Sequence, residues 1–144
     1  RFTIQKNIFS LLSAYKQAVN KYNVKQKLYM FGSGELREEA KAYIKSNNLD
    51  NRVRIFDPIL NVYDFIAQAD CLLLPSLWEG SPNVVFEALS CDTPVIVSPI
   101  LEQYSKTITD KKFGLIVNKG PDEAEFCDDF AMAIYHYSNK VKSE

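Results

Sequence analysis

LLLPSLWEGSPNVVFEALSCDTPVIVS, residues 72–98, sets two apolar runs on either side of an acidic, glycine-containing corner. The first run, from Asp70 to Leu74, is short and does not alternate, which predicts a parallel strand buried on both faces. Pro75 to Gly80 form a loop. Ser81-Pro82 then signals a helix start, because serine can cap an orphan amide and proline at the first helical position has no amide to leave unpaired. The helix is expected over about Pro82 to Cys91, with Val84, Val85, Ala88 and Leu89 on one face and Asn83, Glu87 and Ser90 on another. Pro94 to Val97 form the next strand. The unit reads strand, loop, helix, strand.

Glu79 stands just before this helix and Glu87 along its outer wall, with seven residues between them. They bracket a helix N-terminus whose free amides and partial positive charge suit a phosphate. Taken alone, a glutamate on an exposed helix face is usually a solvated residue, and one ahead of a helix can simply favour its dipole. The wording of the whole stretch carries more. E-G-S-P-N-V-V-F-E-A-L followed by T-P-V-I-V resembles the E-x7-E region of retaining GT-B glycosyltransferases of the family 4 type. The resemblance implies that Glu79 lies beside a donor sugar. It implies that the corner of Gly80, Ser81, Pro82, Asn83 and Val84 holds sugar and pyrophosphate through its amides, and that Glu87 takes the ribose hydroxyls.

Working outward, Arg1 to Asn7 is polar and basic, and Ile8, Leu11, Leu12, Tyr15, Val19 and Tyr22 mark one face of a helix from about Asn7 to Tyr22. In the family that this chain resembles, an arginine and a lysine with this spacing grip the donor's pyrophosphate; Arg1 and Lys6 stand at those positions. The chemistry agrees, since a leaving diphosphate handled without a metal needs fixed positive charge from side chains and amides. Lys27 to Phe31 is a strand broken by Gly32-Ser33-Gly34, a turn that lets backbone approach a ligand, before a helix over about Glu35 to Asn47. By resemblance the Gly32 loop faces the nucleotide cleft. Val53 to Phe56 is a strand ended by Asp57-Pro58, and Asn61 to Ala69 a short helix with Val62, Phe65 and Ile66 inward. The resemblance sets Phe56 to Ile59, with Pro58 among them, near the nucleobase.

Leu101 to Thr109 is read as a short helical or irregular connection, Phe113 to Val117 as the last strand, and about Pro121 to Val141 as a final helix with Phe126, Phe130, Ala133, Ile134 and Tyr137 at helical spacing. Two departures from the family pattern stand out. Pro99-Ile100-Leu101-Glu102 lacks the glycines of a G-G-x-x-E loop, and Asp92 replaces the usual glycine after the helix, a place where Asp tolerates the left-handed conformation.

The 144 residues, 47% of them hydrophobic, suffice for one core and hence one domain over 1–144. A net charge of -1 with no basic stripe predicts no nucleic-acid partner. No apolar run reaches the roughly 20 residues that span a bilayer. Cys71, Cys91 and Cys127, odd in number and widely spaced, read as reduced core thiols of a cytoplasmic protein. His136, the single histidine, has no ligand partners at metal spacing, so neither a metal nor another cofactor is expected.

Strands alternating with helices, without hairpin signals, predict an α/β fold: a Rossmann-like, mainly parallel sheet with helices on both faces. By resemblance it is the C-terminal half of a GT-B fold whose first strand would precede Arg1. The chain is then expected to be a piece of a longer enzyme, inactive alone, that moves a sugar from a nucleoside diphosphate to a glycan, lipid-linked or other hydroxyl acceptor. The acceptor would be held by an N-terminal domain, which allows peripheral association with the inner face of the membrane. Two other readings remain open: a GT-B-like sugar-nucleotide epimerase, and a flavodoxin-like binding module without activity.

Overall fold

Val95, Ile96 and Val97 are β-branched, suited to a pleated strand, and all three are fully buried. Their side chains point alternately to opposite faces, and each face meets its own apolar cluster: Ile96 one side, Val95 and Val97 the other. This strand is therefore the middle layer of three.

The computed structural model describes residues 1–108, 113–117 and 122–138. A turn of 3-10 helix at Ile4–Lys6 leads into α1 (Ile8–Tyr22), β1 (Leu28–Phe31), α2 (Arg37–Ser46), β2 (Val53–Phe56), α3 (Tyr63–Gln68), β3 (Leu72–Leu74), α4 (Asn83–Ser90) and β4 (Val95–Val97). A 3-10 segment (Pro99–Tyr104), α5 (Ser105–Ile108), β5 (Gly114–Ile116) and α6 (Glu123–Ser138) follow. The described strands pair in parallel, as expected for an α/β fold with helices on both faces.

They form two sheets, β1-β2 and β3-β4-β5. Leu28 pairs with Val53 in the first; Leu72 with Val95 and Val95 with Gly114 in the second. Between β1 and β3 lies a cavity of about 990 Å³, walled by both strands and by Ile8, Leu11 and Tyr15 of α1. This explains one departure from expectation. Leu72 and Leu73 are only half-buried, because the β3 edge faces the cavity and not a neighbouring strand.

α1 and α6 pack against each other and supply most of the larger cluster, with Leu12, Ala14 and Phe130 fully buried. Large apolar side chains such as Leu12 and Phe130 each contribute about 1.5–3 kcal/mol by leaving water. The smaller cluster joins Ile66 of α3, Val85 and Ala88 of α4, Leu101 and Ile108.

Several boundaries shift. α1 begins at Ile8, because Asn7 adopts the left-handed conformation (φ 51°). α4 begins at Asn83, with Pro82 as its cap residue. Ser81 does not cap an amide; its hydroxyl donates to Asn83 Oδ1 at 2.9 Å. α3 is shorter than expected, and Phe65 is 42% exposed, not inward: its ring packs on Phe31 at 4.9 Å, outside the core clusters. Asp92 does take the left-handed conformation, φ 56°. Pro121 and residues 139–141, expected in the final helix, and Thr109, expected to end a helical or irregular connection, lie outside the described residues. No helix among the described residues is long and apolar enough to cross a membrane.

Candidate functional site

The opening segment is fixed by its backbone. Phe2, 1% exposed, donates its N–H to the Ser33 carbonyl at 2.9 Å and accepts from Leu36 N–H at 3.0 Å. Gly34 makes this approach feasible. Its φ is +150°, and a Cβ placed there would stand 2.3 Å from the Phe2 carbonyl oxygen. The glycine turn that reads as a ligand cradle thus serves first as a seat for the chain's own Arg1-Phe2; Gly32 likewise abuts Arg1, with a hypothetical Cβ 3.3 Å from its Cα.

Beyond Phe2 the segment is tied to the loop after β3. Leu77 N–H donates to the Gln5 carbonyl at 2.8 Å, and Gln5 Nε2 donates to the Trp78 carbonyl at 2.9 Å. These bonds set Lys6 opposite Glu79, and Lys6 Nζ pairs with Glu79 Oε1 across 73 positions of sequence. The Glu79 side chain is 8% exposed and that of Lys6 24%. So shielded a carboxylate needs its partners, because removing one from a buried pair leaves an uncompensated charge. Ser76 Oγ supplies a second donor, 2.7 Å from the same Oε1. The Ser76 carbonyl in turn accepts from Ser98 Oγ at 2.6 Å.

Arg1, Lys6, Glu79 and Val84 therefore share the lining of one cavity. The remaining candidates lie outside that lining: Pro58, Gly80, Ser81 and Asn83 are exposed, Gly32 and Pro82 are buried, and Glu87 is half-buried on α4. The corner does not offer every amide to a ligand. Asn83 N–H donates to the Ser81 carbonyl at 2.9 Å and Val85 N–H to the Pro82 carbonyl at 2.9 Å.

At another side of the cavity stands an aromatic group that sequence reading divided among three elements. Phe31 stacks on Phe56 (centroids 5.0 Å, planes 15° apart), Phe65 tilts against Phe31, and Tyr29 meets Phe56 edge-on at 5.6 Å. Nearby Cys71 is a cavity residue whose thiol is pushed up to about 12, chiefly by burial and then by the Asp70 carboxylate. Cys71, Cys91 and Cys127 are all free. His136 is exposed, and among the described residues no three His, Cys, Asp or Glu side chains gather as a metal site would require.

Sequence reading missed Gln5, Ser76 and Ser98. A signal existed for Ser76 alone, which precedes Glu79 by three residues in one loop; the other two bond through backbone carbonyls that no side-chain pattern announces.

The family model described as glycosyl transferases group 1 matches residues 1–135. An uncharacterized glycosyltransferase of Methanocaldococcus jannaschii is 38% identical over 96 residues, covering 67% of this chain and 23% of that protein. The N-acetylgalactosamine-N,N'-diacetylbacillosaminyl-diphospho-undecaprenol 4-alpha-N-acetylgalactosaminyltransferase of Campylobacter jejuni is 30% identical over 100 residues, 69% of this chain and 27% of that one. The chain spans about a quarter of the length of these relatives. Among solved structures, the pneumococcal O-GlcNAc transferase GtfA in complex with UDP and GlcNAc superposes with a TM-score of 0.84 at 18% identity, over 94% of this chain and 27% of that one. The lipopolysaccharide outer core galactosyltransferase WaaB gives 0.75 at 22%, over 95% and 37%. At these identities the likeness is one of fold.

Proposed function

From the premise that this chain belongs to the family of glycosyl transferases group 1, we propose that it holds the nucleoside-diphosphate sugar for a retaining transfer to an acceptor hydroxyl. The observation that carries this reading is the meeting of Arg1, Lys6 and Glu79 at one cavity, with Lys6 and Glu79 paired across 73 positions. A donor of this kind presents a doubly charged diphosphate next to a neutral, hydroxyl-rich sugar. Two cations beside one carboxylate answer both parts.

In the reaction, the bond from the anomeric carbon to the diphosphate oxygen breaks and its electron pair leaves with the diphosphate. The acceptor oxygen bonds to the same carbon and gives its proton to the departing diphosphate oxygen. Arg1, Lys6 and the corner amides other than those of Asn83 and Val85 stabilise the charge that grows on the diphosphate, the electrostatic contribution that usually dominates such catalysis. No metal takes part in this scheme. Glu79 accepts hydroxyls of the donor sugar and orients it, and Glu87 accepts the ribose hydroxyls. Glu79 is not assigned as a nucleophile, because the covalent route of retaining glycosidases needs two carboxylates flanking one bond. Gly32 and Pro58 flank the nucleobase side, next to the rings of Phe31 and Phe56.

The acceptor falls to the part of the longer relatives that this chain does not match. A lipid-linked glycan is the class favoured, since undecaprenol-linked substrates occur in the names of two relatives. Such an acceptor would draw the protein to the cytoplasmic face of a membrane. Calorimetric titration with UDP, GDP and ADP, and then with their sugars, tests the reading. Saturable binding of one nucleoside diphosphate is expected, and no binding of any would refute it.

A further inference from the structure

We infer that Ser76 is a positioning residue for Glu79, holding its carboxylate in place when Lys6 turns to the donor's diphosphate. The inference rests on the donor-site reading above and adds a residue that neither the motif nor the family match singles out.

Both hydrogen bonds to the Glu79 carboxylate, from Lys6 and from Ser76, fall on the same oxygen, Oε1. Among the described residues the other oxygen is therefore the one with capacity left for a sugar hydroxyl. The two donors differ in kind. Lys6 carries a point charge on a flexible four-carbon stem, and a diphosphate with its greater negative charge competes with Glu79 for it. Ser76 has a single side-chain torsion, is 1% exposed, and sits on the loop that bears Glu79 itself.

The position of Ser76 is set independently of any ligand. Ser98 N–H donates to the Leu74 carbonyl at 3.1 Å, continuing the β3-β4 pairing by one step, and Ser98 Oγ donates to the Ser76 carbonyl at 2.6 Å. The sheet thus fixes Ser98, Ser98 fixes Ser76, and Ser76 fixes Glu79. A serine that merely satisfied its own hydroxyl could use a backbone carbonyl, as the buried Thr93 and Ser98 do. Ser76 donates to a carboxylate, where the bond is stronger and its loss matters to the charge.

A double-mutant cycle in the full-length protein tests this, with turnover followed as release of nucleoside diphosphate from its sugar, water serving as acceptor. Ser76→Ala is expected to lower kcat about tenfold, the equivalent of one charge-assisted hydrogen bond, while affinity for the free nucleoside diphosphate stays within twofold. In a Glu79→Gln background the same change should lower kcat less than twofold. Ser76→Thr, which keeps the hydroxyl, should restore most of the loss. Should Ser76→Ala prove too unstable to assay, Ser76→Cys, of similar shape and a weak donor, replaces it in both backgrounds. Equal falls in the two backgrounds, or no fall in either, would overturn the inference with nucleotide binding intact. Absence of nucleotide binding in the unaltered protein would instead overturn the donor-site reading, and this inference with it.

Discussion

Replacing Gly34 with alanine puts the seat of the opening segment to a direct test. The added Cβ would lie 2.3 Å from the Phe2 oxygen, 2.7 Å from its carbonyl carbon and 2.9 Å from its nitrogen, all backbone atoms that no rotamer change can move aside. A non-glycine residue held at such a φ costs about 1–3 kcal/mol. Displacing Phe2 breaks its bonds to Ser33 and Leu36, each contributing about 0.5–1.5 kcal/mol. The expected loss is therefore about 2–6 kcal/mol, a large part of the 5–15 kcal/mol typical of a folded domain. Urea unfolding of the full-length protein, followed by circular dichroism, measures it. Gly80→Ala is the control: nothing lies within 4 Å of a Cβ there, so stability should stay within about 0.5 kcal/mol. A loss at Gly34 below about 1 kcal/mol, or one no greater than the control's, would show that the glycine is not needed for the seat.

Glu87→Ala is expected to weaken nucleoside diphosphate affinity about tenfold, the equivalent of one hydrogen bond to a charged group; unchanged affinity in the titration removes Glu87 from the site. Sugar transfer should persist in EDTA, and abolition by the chelator would refute the charge-stabilising roles given to Arg1 and Lys6. The thiolate is the reactive form of cysteine, and a raised thiol stays protonated up to higher pH. With its thiol pushed up to about 12 against an ordinary 9.0, Cys71 should therefore alkylate with iodoacetamide at pH 8 about tenfold or more slower than a free cysteine, the loss of thiolate outweighing the greater nucleophilicity of the thiolate that remains, as read by mass spectrometry of the native protein.

The central unit was legible because its signals agree: an apolar run, a loop, a proline at the helix start and a β-branched strand all point the same way. The ends of elements were less so, and for local reasons. Ser81 has the composition of a cap, yet its hydroxyl is taken by Asn83, and Pro82 occupies the cap position with φ -81° and ψ 62°. Phe65 has the spacing of a core residue, but the β1-β2 sheet exposes rings on that side and Phe65 joins them. Gly34 reads as an opening for a ligand because sequence cannot say which backbone approaches it. At the site, the resemblance assigns Glu79 to the sugar and Lys6 to the diphosphate, and their pairing with each other across 73 positions emerges only in the fold. The contributions of Gln5 and Ser98 depend on carbonyl positions, which only the folded backbone defines.

The segment Arg1 to Lys6 is bonded on one side to the loop after β1, through Phe2, and on the other to the loop after β3, through Gln5 and Lys6. Mechanically it is a tie-bar between the loops that follow β1 and β3. Any spreading of one loop from the other loads this bar, on which Lys6 and Glu79 lie. Binding at that pair would conversely stiffen both loops at once, so the amides at the ends of β1 and β3 should slow their hydrogen exchange together when the site is filled.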